Sequence, residues 1–125
     1  MKKLTRRKLI KKLDTVFSLY IRLRDSQNEI VTCFTCGKQD HYKKMQCGHF
    51  MSRKSYSTRW NETNCQVQCV KCNMFEQGMS YVFGLRLNKI YGEGTAENLL
   101  SKSKKITKFT NDDIEEMIKK YQELN

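Results

Sequence analysis

Cys33-Phe34-Thr35-Cys36 and Cys69-Val70-Lys71-Cys72 are the two stretches that decide the fold of this chain. Each Cys-x-x-Cys turn, or knuckle, can present two thiolates, and four thiolates around a tetrahedral ion make a structural zinc site. Two redox dithiols or two disulfides are the alternative, but nothing in the sequence indicates an oxidising compartment. The knuckles therefore predict a domain stapled by one Zn²⁺, with residues 37–68 folded between them. Cys47 and Cys65 are then spare thiols, although either could replace one of the four ligands.

The length and charge of the chain limit its fold class and its partners. It has 125 residues, 24 Lys and Arg, 13 Asp and Glu, and a formal net charge of +11. This length fits one domain, whose small core benefits from a metal staple. No apolar run approaches the roughly 20 residues of a membrane helix, and the basic start lacks the features of a secretory signal. We therefore expect a cytoplasmic protein with no membrane contact and with nucleic acid as its polyanionic partner.

The positive charge is concentrated near the start of the chain. Residues 1–24 carry nine basic groups and one acid, Asp14, whereas residues 73–125 are neutral. Basic blocks of this kind often mark arms that bind nucleic acid, although a solvated helix face is the alternative. The residues predicted to contact DNA are Lys8, Lys11, Lys12, Arg53, Lys54 and Arg59.

Apolar periodicity predicts helices at both ends of the chain and short strands in the middle. The predicted helices cover residues 4–24, 73–90 and 110–124, and the predicted strands cover residues 30–32, 42–50 and 65–69. Thr110 and Asp113 form a predicted capping box at the start of the last helix. These elements indicate an α+β fold in one domain of residues 1–125. Its parts are a basic N-terminal helix at 1–28, a zinc-knuckle core at 29–92 and a C-terminal helical extension at 93–125.

The segment between the knuckles contains an uncommon series of polar residues. It begins with Gly48-His49-Phe50-Met51-Ser52-Arg53 and continues with Arg59-Trp60-Asn61-Glu62-Thr63-Asn64. The second knuckle then reads Gln68-Cys69-Val70-Lys71-Cys72-Asn73. The order is a His at the end of a predicted strand, an Asn before the second knuckle and an Asn directly after it.

This order resembles the His-Asn-His (HNH) nuclease motif, in the variant that ends in Asn and is framed by two zinc knuckles. Phage endonuclease VII is similar in plan. The Rap/NinG recombination family of lambdoid phages is a closer match over residues 13–125, because it shares the knuckles, Gly48-His49 and the Arg59–Asn64 run. The resemblance implies a small zinc-stapled ββα-metal core and an endonuclease that acts on branched double-stranded DNA, such as Holliday junctions and D-loops. It also implies a phage protein in the bacterial cytoplasm.

Phosphodiester hydrolysis suggests a role for each residue of the series. Neutral His49 is the best general base for an attacking water near pH 7. Asn73, next to a zinc ligand, could bind catalytic Mg²⁺ or Mn²⁺ through its amide oxygen. Asn64 could orient the loop after His49 by bonding its backbone, and Arg53 or Arg59 could clamp phosphate. Four thiolates leave no open position on the zinc, which would be structural.

One position departs from the endonuclease VII pattern. That pattern has a metal-binding Asp directly before the His, where this sequence has Gly48. With only Asn73 as a protein ligand, a magnesium site would lack the carboxylate that such sites usually have. Glu62 is the first candidate for the missing carboxylate, and a salt bridge is its alternative role. Asp40 is the second candidate, and the neighbouring His41 is expected to be structural or exposed.

Other interpretations of the same residues stay open. His49 could be a structural histidine or an extra zinc ligand, and Asn64 and Asn73 could simply cap turns. Because an Asp is missing, a zinc-knuckle DNA-binding module with weak catalysis is one rival to the nuclease. A nuclease of the same core without branch specificity is the other. Resolving a four-way junction takes two symmetric cuts, so we expect a homodimer.

Overall fold

The computed structural model describes residues 3–125 as a small α+β fold with two antiparallel sheets, which confirms the predicted α+β class. Within these residues the helices are α1 (Arg6–Leu23), α2 (Tyr56–Arg59), α3 (Ser80–Tyr91), α4 (Thr95–Ser103) and α5 (Asn111–Leu124). The strands are β1 (Ile30–Thr32), β2 (Gln39–His41), β3 (Met45–His49) and β4 (Cys65–Cys69). None of the helices within residues 3–125 is long and apolar enough to cross a bilayer.

The first and last helices pack against each other and form the main core. The buried residues of this core are Leu9, Leu13, Phe17, Ile21, Trp60, Cys65, Ile114, Ile118 and Tyr121. They lie at helical spacing along α1 and α5, as an amphipathic helix requires. The rings of Phe17 and Tyr121 meet edge to face with their centroids 5.0 Å apart. The predicted capping box of Thr110 and Asp113 is present at the start of α5.

Each sheet carries one knuckle. β1 pairs with β2, and the first knuckle forms the turn between them. Gly37 closes this turn with a φ of +80°, where a side chain would be strained, and its N–H donates to the Cys33 carbonyl. β3 pairs with β4 in a register that places Met45 opposite Cys69 and His49 opposite Cys65. The second knuckle therefore begins at one end of this sheet, and His49 lies at the other.

The helix predicted from residue 73 is interrupted. A π-helical turn covers Lys71–Phe75, and a 3₁₀ turn follows at Gln77–Met79. Gly78 has a φ of +79°, which is outside the right-handed helical region, so α3 begins only at Ser80. Phe83 of α3 then packs against Phe50, with the ring centroids 5.6 Å apart. This contact ties α3 to the loop that follows His49.

Candidate active site and metal centre

The four knuckle cysteines converge as the spacing predicts. The Sγ atoms of Cys33, Cys36, Cys69 and Cys72 all lie within 4.8 Å of one another. The Cys36 and Cys69 sulfurs are 3.7 Å apart, and the cluster is buried except for Cys36. Four soft sulfur donors in one place suit a tetrahedral ion. The cluster could therefore hold a structural metal such as zinc.

The environment of the cluster favours a cation. Burial alone would raise the pKa of Cys33, but the Thr35 hydroxyl and nearby backbone amides lower it to about 6. Burial and the neighbouring Cys36 and Cys69 sulfurs raise the pKa of Cys72 to about 12. These opposing directions mean that the sulfurs do not all ionise together unless a cation compensates their charge.

A cleft of about 610 Å³ brings together three of the predicted catalytic residues. It lies between α1, β3 and the π-helical turn. His49, Arg53 and Asn73 all line it, together with Gln46 and Asp14. An imidazole, a guanidinium and a side-chain amide therefore line one cavity.

His49 ends β3 and is oriented by a backbone carbonyl. Its Nε2 lies 3.0 Å from the carbonyl oxygen of Arg59. A carbonyl can only accept, so Nε2 carries the proton and Nδ1 keeps its lone pair. Burial lowers the pKa of His49 below its ordinary value of 6.5, although the bond to Arg59 acts in the opposite direction. The imidazole is therefore neutral at pH 7, as a general base must be.

Asn64 is fully buried and holds the loop that follows His49. Its Oδ1 accepts the Met51 N–H at 2.8 Å, and its Nδ2 donates to the carbonyls of Met51 and Thr58 at 3.1 and 3.0 Å. Its own carbonyl accepts the Phe50 N–H at 2.9 Å. These bonds satisfy the whole amide and fix the backbone beside His49.

Asn73 lies in the π-helical turn, directly after Cys72. Its Nδ2 donates to Gln46 Oε1 at 2.7 Å, which orients the amide. Oδ1 is then the amide atom that remains for a hard cation. Nothing in the sequence points to Gln46, because strand alternation places it on the opposite face of β3 from His49.

Glu62 does not line the cleft, so the structure does not bring this predicted metal ligand together with His49 and Asn73. Its two carboxylate oxygens accept hydrogen bonds from Tyr20 at 3.0 Å and from Tyr121 at 2.9 Å. Lys120 lies 3.6 Å away. Glu62 therefore joins α1 to α5. Asp40 does not replace it, because it bonds the next backbone N–H, in β2 and outside the cleft.

We predict that Glu62→Gln lowers the unfolding temperature at neutral pH and that the difference shrinks on acidification. Burial opposes the charge of Glu62, but hydrogen bonds from Tyr121 and Tyr20 lower its pKa overall. A carboxyl whose pKa is lowered in the fold stabilises it above the unfolded pKa, and this contribution disappears as pH falls through the folded pKa. Thermal melts of wild type and variant should converge as the pH falls below 4.5, the ordinary pKa of a glutamate, and through the lowered pKa of Glu62. Glu123→Gln, at an exposed position of α5, is the control, and a gap that stays constant with pH would contradict the prediction.

Arg59, predicted to contact DNA, is paired with an acid of α1 instead of being free at the surface. It donates to Asp14 through Nε at 3.1 Å and Nη2 at 2.5 Å, and its side chain is only 15% exposed. Trp60 Nε1 donates to the same carboxylate at 2.9 Å. Asp14 thus ties α1 to the loop after His49, a role that the sequence hinted at only because Asp14 is the one acid of residues 1–24. Arg53, with a 63% exposed side chain, lines the cleft, and Lys54 is exposed beside it.

The basic residues of α1 differ in the direction they face. Lys11 lies on the same side of the helix as Ser18 and Arg22, which line the cleft, because residues at these spacings share a face. Around the helix axis, Lys12 lies about 100° from Lys11, and Lys8 lies about 60° from Lys11 on the same side, since each helical residue turns by about 100°. All three lysines are exposed. Lys11 is therefore the lysine of this set that continues the cleft.

Comparison with known proteins identifies the family. The model of the bacteriophage lambda NinG protein family matches residues 1–125, which is the whole chain. The chain belongs to the NinG family. The predicted phage family is thus confirmed, whereas the predicted endonuclease activity stays a prediction. Searches of curated proteins and of solved structures found no significant match.

In this NinG-family protein, a neighbouring side chain fills the space that a side chain at position 48 would need. A Cβ at this position would lie 1.8 Å from Gln68 Oε1 and 2.6 Å from its Cδ. Gln68 is fully buried, and its Nε2 donates to Thr35 at 3.0 Å and to the Gly78 carbonyl at 2.9 Å. Its Oε1 lies against Gly48 without a hydrogen-bond partner among the described residues. An Asp before His49 therefore has no room.

We predict that Gly48→Ala lowers the free energy of unfolding by about 1–3 kcal/mol, the usual cost of overpacking a core. The added methyl group must displace Gln68, whose amide then loses its bonds to Thr35 and Gly78. Urea unfolding of Gly48→Ala, Gln68→Ala and the double variant measures the coupling between the two sites. The double variant should be more stable than the sum of the single effects implies. Strict additivity would show that the two positions do not compete for space.

Proposed function

We propose that this NinG-family protein is a metal-dependent DNA endonuclease in which His49 activates the attacking water. The observation that carries the proposal is the single cleft that His49, Arg53 and Asn73 all line. A neutral imidazole with a free Nδ1, a guanidinium and a pre-oriented amide oxygen are the groups that phosphodiester hydrolysis needs. The net charge of +11 fits a polyanionic substrate.

We also propose that β3, β4 and the helical segment after them form an HNH-like ββα-metal core. The order of the elements supports this assignment, since the antiparallel pair is followed directly by the π-helical turn and then by α3. His49 ends the first strand of the pair, and Asn73 lies in the first helical turn after the second. A Zn²⁺ on the four knuckle cysteines would hold this turn in place, and its role would be structural.

His49 and Arg53 divide the chemistry between them. His49 Nδ1 takes a proton from water, and the resulting hydroxide attacks phosphorus in line as the bond to the 3′ oxygen breaks. The 3′ oxygen takes a proton from solvent, so the products are a 5′ phosphate and a 3′ hydroxyl. The Arg59 carbonyl keeps the imidazole oriented, and it stabilises the imidazolium once the proton has moved. Arg53 donates to the phosphate oxygens.

Asn73 offers a hard oxygen ligand, which fits Mg²⁺ or Mn²⁺. Magnesium commonly binds through one or two protein ligands, with water and substrate phosphate completing its coordination. One described carboxylate, Asp14, lines the cleft, and it is paired with Arg59. The amide of Asn73 is therefore the protein ligand that we propose, and the bound ion would supply charge stabilisation at the phosphate.

Branched DNA is the substrate that we propose from the family resemblance, with a homodimer making two symmetric cuts in a four-way junction. The test incubates the protein with a four-way junction, a D-loop, a flap and linear duplex, in Mg²⁺ or in EDTA. We expect the junction to be cleaved in Mg²⁺ and not in EDTA. Asn73→Ala should lose it, whereas Asn98→Ala, an exposed residue of α4, should keep it.

Two other results would each favour a rival function. Binding of the junction without cleavage in any divalent metal would show a zinc-knuckle DNA-binding module. Equal cleavage of linear duplex would show a nuclease without branch specificity. Mass measurement of the protein on a symmetric junction tests the homodimer, because a single protomer on the junction contradicts it.

A further inference from the structure

A second cluster of soft ligands lies in the wall of the cleft. A ring nitrogen of His49 and the sulfurs of Cys47 and Cys65 all lie within 4.8 Å of one another. The β3–β4 register explains this, because His49 is directly opposite Cys65 and Cys47 lies two residues earlier on the same face. None of these three side chains belongs to the four-cysteine cluster.

The spacing of the three atoms suits one tetrahedral ion. Zn–S bonds of about 2.3 Å and Zn–N bonds of about 2.0 Å place tetrahedral ligand atoms about 3.5–3.8 Å apart. The three atoms, which lie within 4.8 Å of one another, are close enough to adopt this spacing. Thiol and imidazole ligands suit Zn²⁺ and Cd²⁺, whereas Mg²⁺ prefers oxygen ligands. Cys47 and His49 also line the cleft, so a fourth position can be reached by water.

The cluster is held in place by the surrounding backbone. Cys65 is fully buried, and its Sγ lies 3.5 Å from the Arg59 carbonyl oxygen that also accepts from His49 Nε2. The ligand nitrogen would be Nδ1, because Nε2–H is bound to the Arg59 carbonyl. Histidines at metal sites commonly give their other N–H to such a carbonyl, which fixes the ring.

We propose that Cys47, His49 and Cys65 form a second metal site, which binds one thiophilic divalent cation such as Zn²⁺ or Cd²⁺. Binding replaces the thiol protons and takes the free lone pair of His49. The same lone pair is the proposed base, so occupancy of this site blocks water activation. The site itself stands on its own geometry, and only this inhibitory effect rests on the proposed function.

The binding test loads the reduced protein with one equivalent of Zn²⁺ for the four-cysteine cluster and then titrates it with Co²⁺. We expect a further equivalent to bind, with the intense visible bands of tetrahedral thiolate-bound Co²⁺. Cys47→Ser and Cys65→Ala should weaken this binding by more than the roughly 10–100-fold that loss of a supporting partner costs. Ser52→Ala, which lines the cleft without belonging to the cluster, should bind as wild type does.

Binding of a single metal equivalent in all, or equal Co²⁺ binding by wild type and Cys47→Ser, would overturn the site. A disulfide between Cys47 and Cys65 that persists in reductant would overturn it as well. Because Cys65 is buried, its variant can fail to fold. Cys47 is only half-buried, so the Cys47→Ser result decides in that case.

The activity arm measures junction cleavage in Mg²⁺ with added Zn²⁺. Wild type should be inhibited by low Zn²⁺, whereas Cys47→Ser should need at least about tenfold more. Equal inhibition of both would refute the link between the site and the base. If wild type never cleaves DNA, the proposed function fails, and the Co²⁺ titration still decides whether the site exists.

Discussion

His49→Ala should reduce cleavage of a four-way junction by about 10²–10⁴-fold, the usual contribution of a general base. The imidazole lines the cleft with a neutral ring whose Nε2–H is bound to the Arg59 carbonyl, and alanine has no group that can accept the proton. Single-turnover rates in Mg²⁺ measure the chemical step. Junction binding should be little changed, since the basic residues of α1 and Arg53 remain.

His41→Ala is the matched control for this loss. His41 lies in β2 with its Nε2 3.0 Å from Glu29 and does not line the cleft, so its variant should cleave at the wild-type rate. A His49→Ala protein that cleaves within a few-fold of wild type would remove His49 from the mechanism.

The dependence of the wild-type rate on pH gives an independent check of the base. His49 acts only when it is neutral, and burial lowers its pKa below 6.5. The rate should therefore rise with pH through a pKa below 6.5 and level off above it. An acid limb centred above 6.5 would mean that another group limits the reaction.

Cys36→Ser, or removal of metal by a strong chelator, should unfold most of the protein at room temperature. Structural zinc contributes about 10–16 kcal/mol in small zinc-binding peptides, whereas whole domains are stable by only about 5–15 kcal/mol. The four sulfurs also lie between β1 with its turn and β4 with the π-helical turn, so their loss weakens the contact between the two sheets. Circular dichroism melts with and without chelator, followed by addition of Zn²⁺, measure the effect.

Cys47→Ser is the control for this loss, because Cys47 does not belong to the four-cysteine cluster. Its melt should stay close to that of wild type. An unfolding temperature that chelation leaves unchanged would show that the cluster binds no structural metal.

Local patterns predicted most of the elements correctly. α5 begins at its capping box of Thr110 and Asp113, and α1 follows the apolar spacing of its buried residues, since both signals act within one or two turns. β4 has the predicted bounds of residues 65–69. β2 was not predicted, because a three-residue strand is too short to show alternation. The break at Gly78 was also missed, since a glycine within a helical pattern does not reveal its own φ.

The residues of the candidate site also divide into those whose positions follow from the local sequence and those whose positions do not. His49, Asn73 and the four knuckle cysteines lie close to strand and turn ends in the sequence, so their approximate positions follow from the elements that carry them. Glu62 lies only three residues after Arg59, yet its carboxylate faces Tyr20 and Tyr121, on helices distant in the sequence. No local rule predicts the direction of a loop side chain.

The sequence by itself determined the α+β class, the metal-binding potential of the knuckles and the family of this protein. These depend on residue type and short spacing. The tertiary structure alone decided that Asp14 neutralises Arg59, that Gln68 fills the space above Gly48, and that Cys47 and Cys65 meet beside His49. Each of these contacts depends on strand register or helix docking, which are set by packing over the whole chain rather than by the residues on either side.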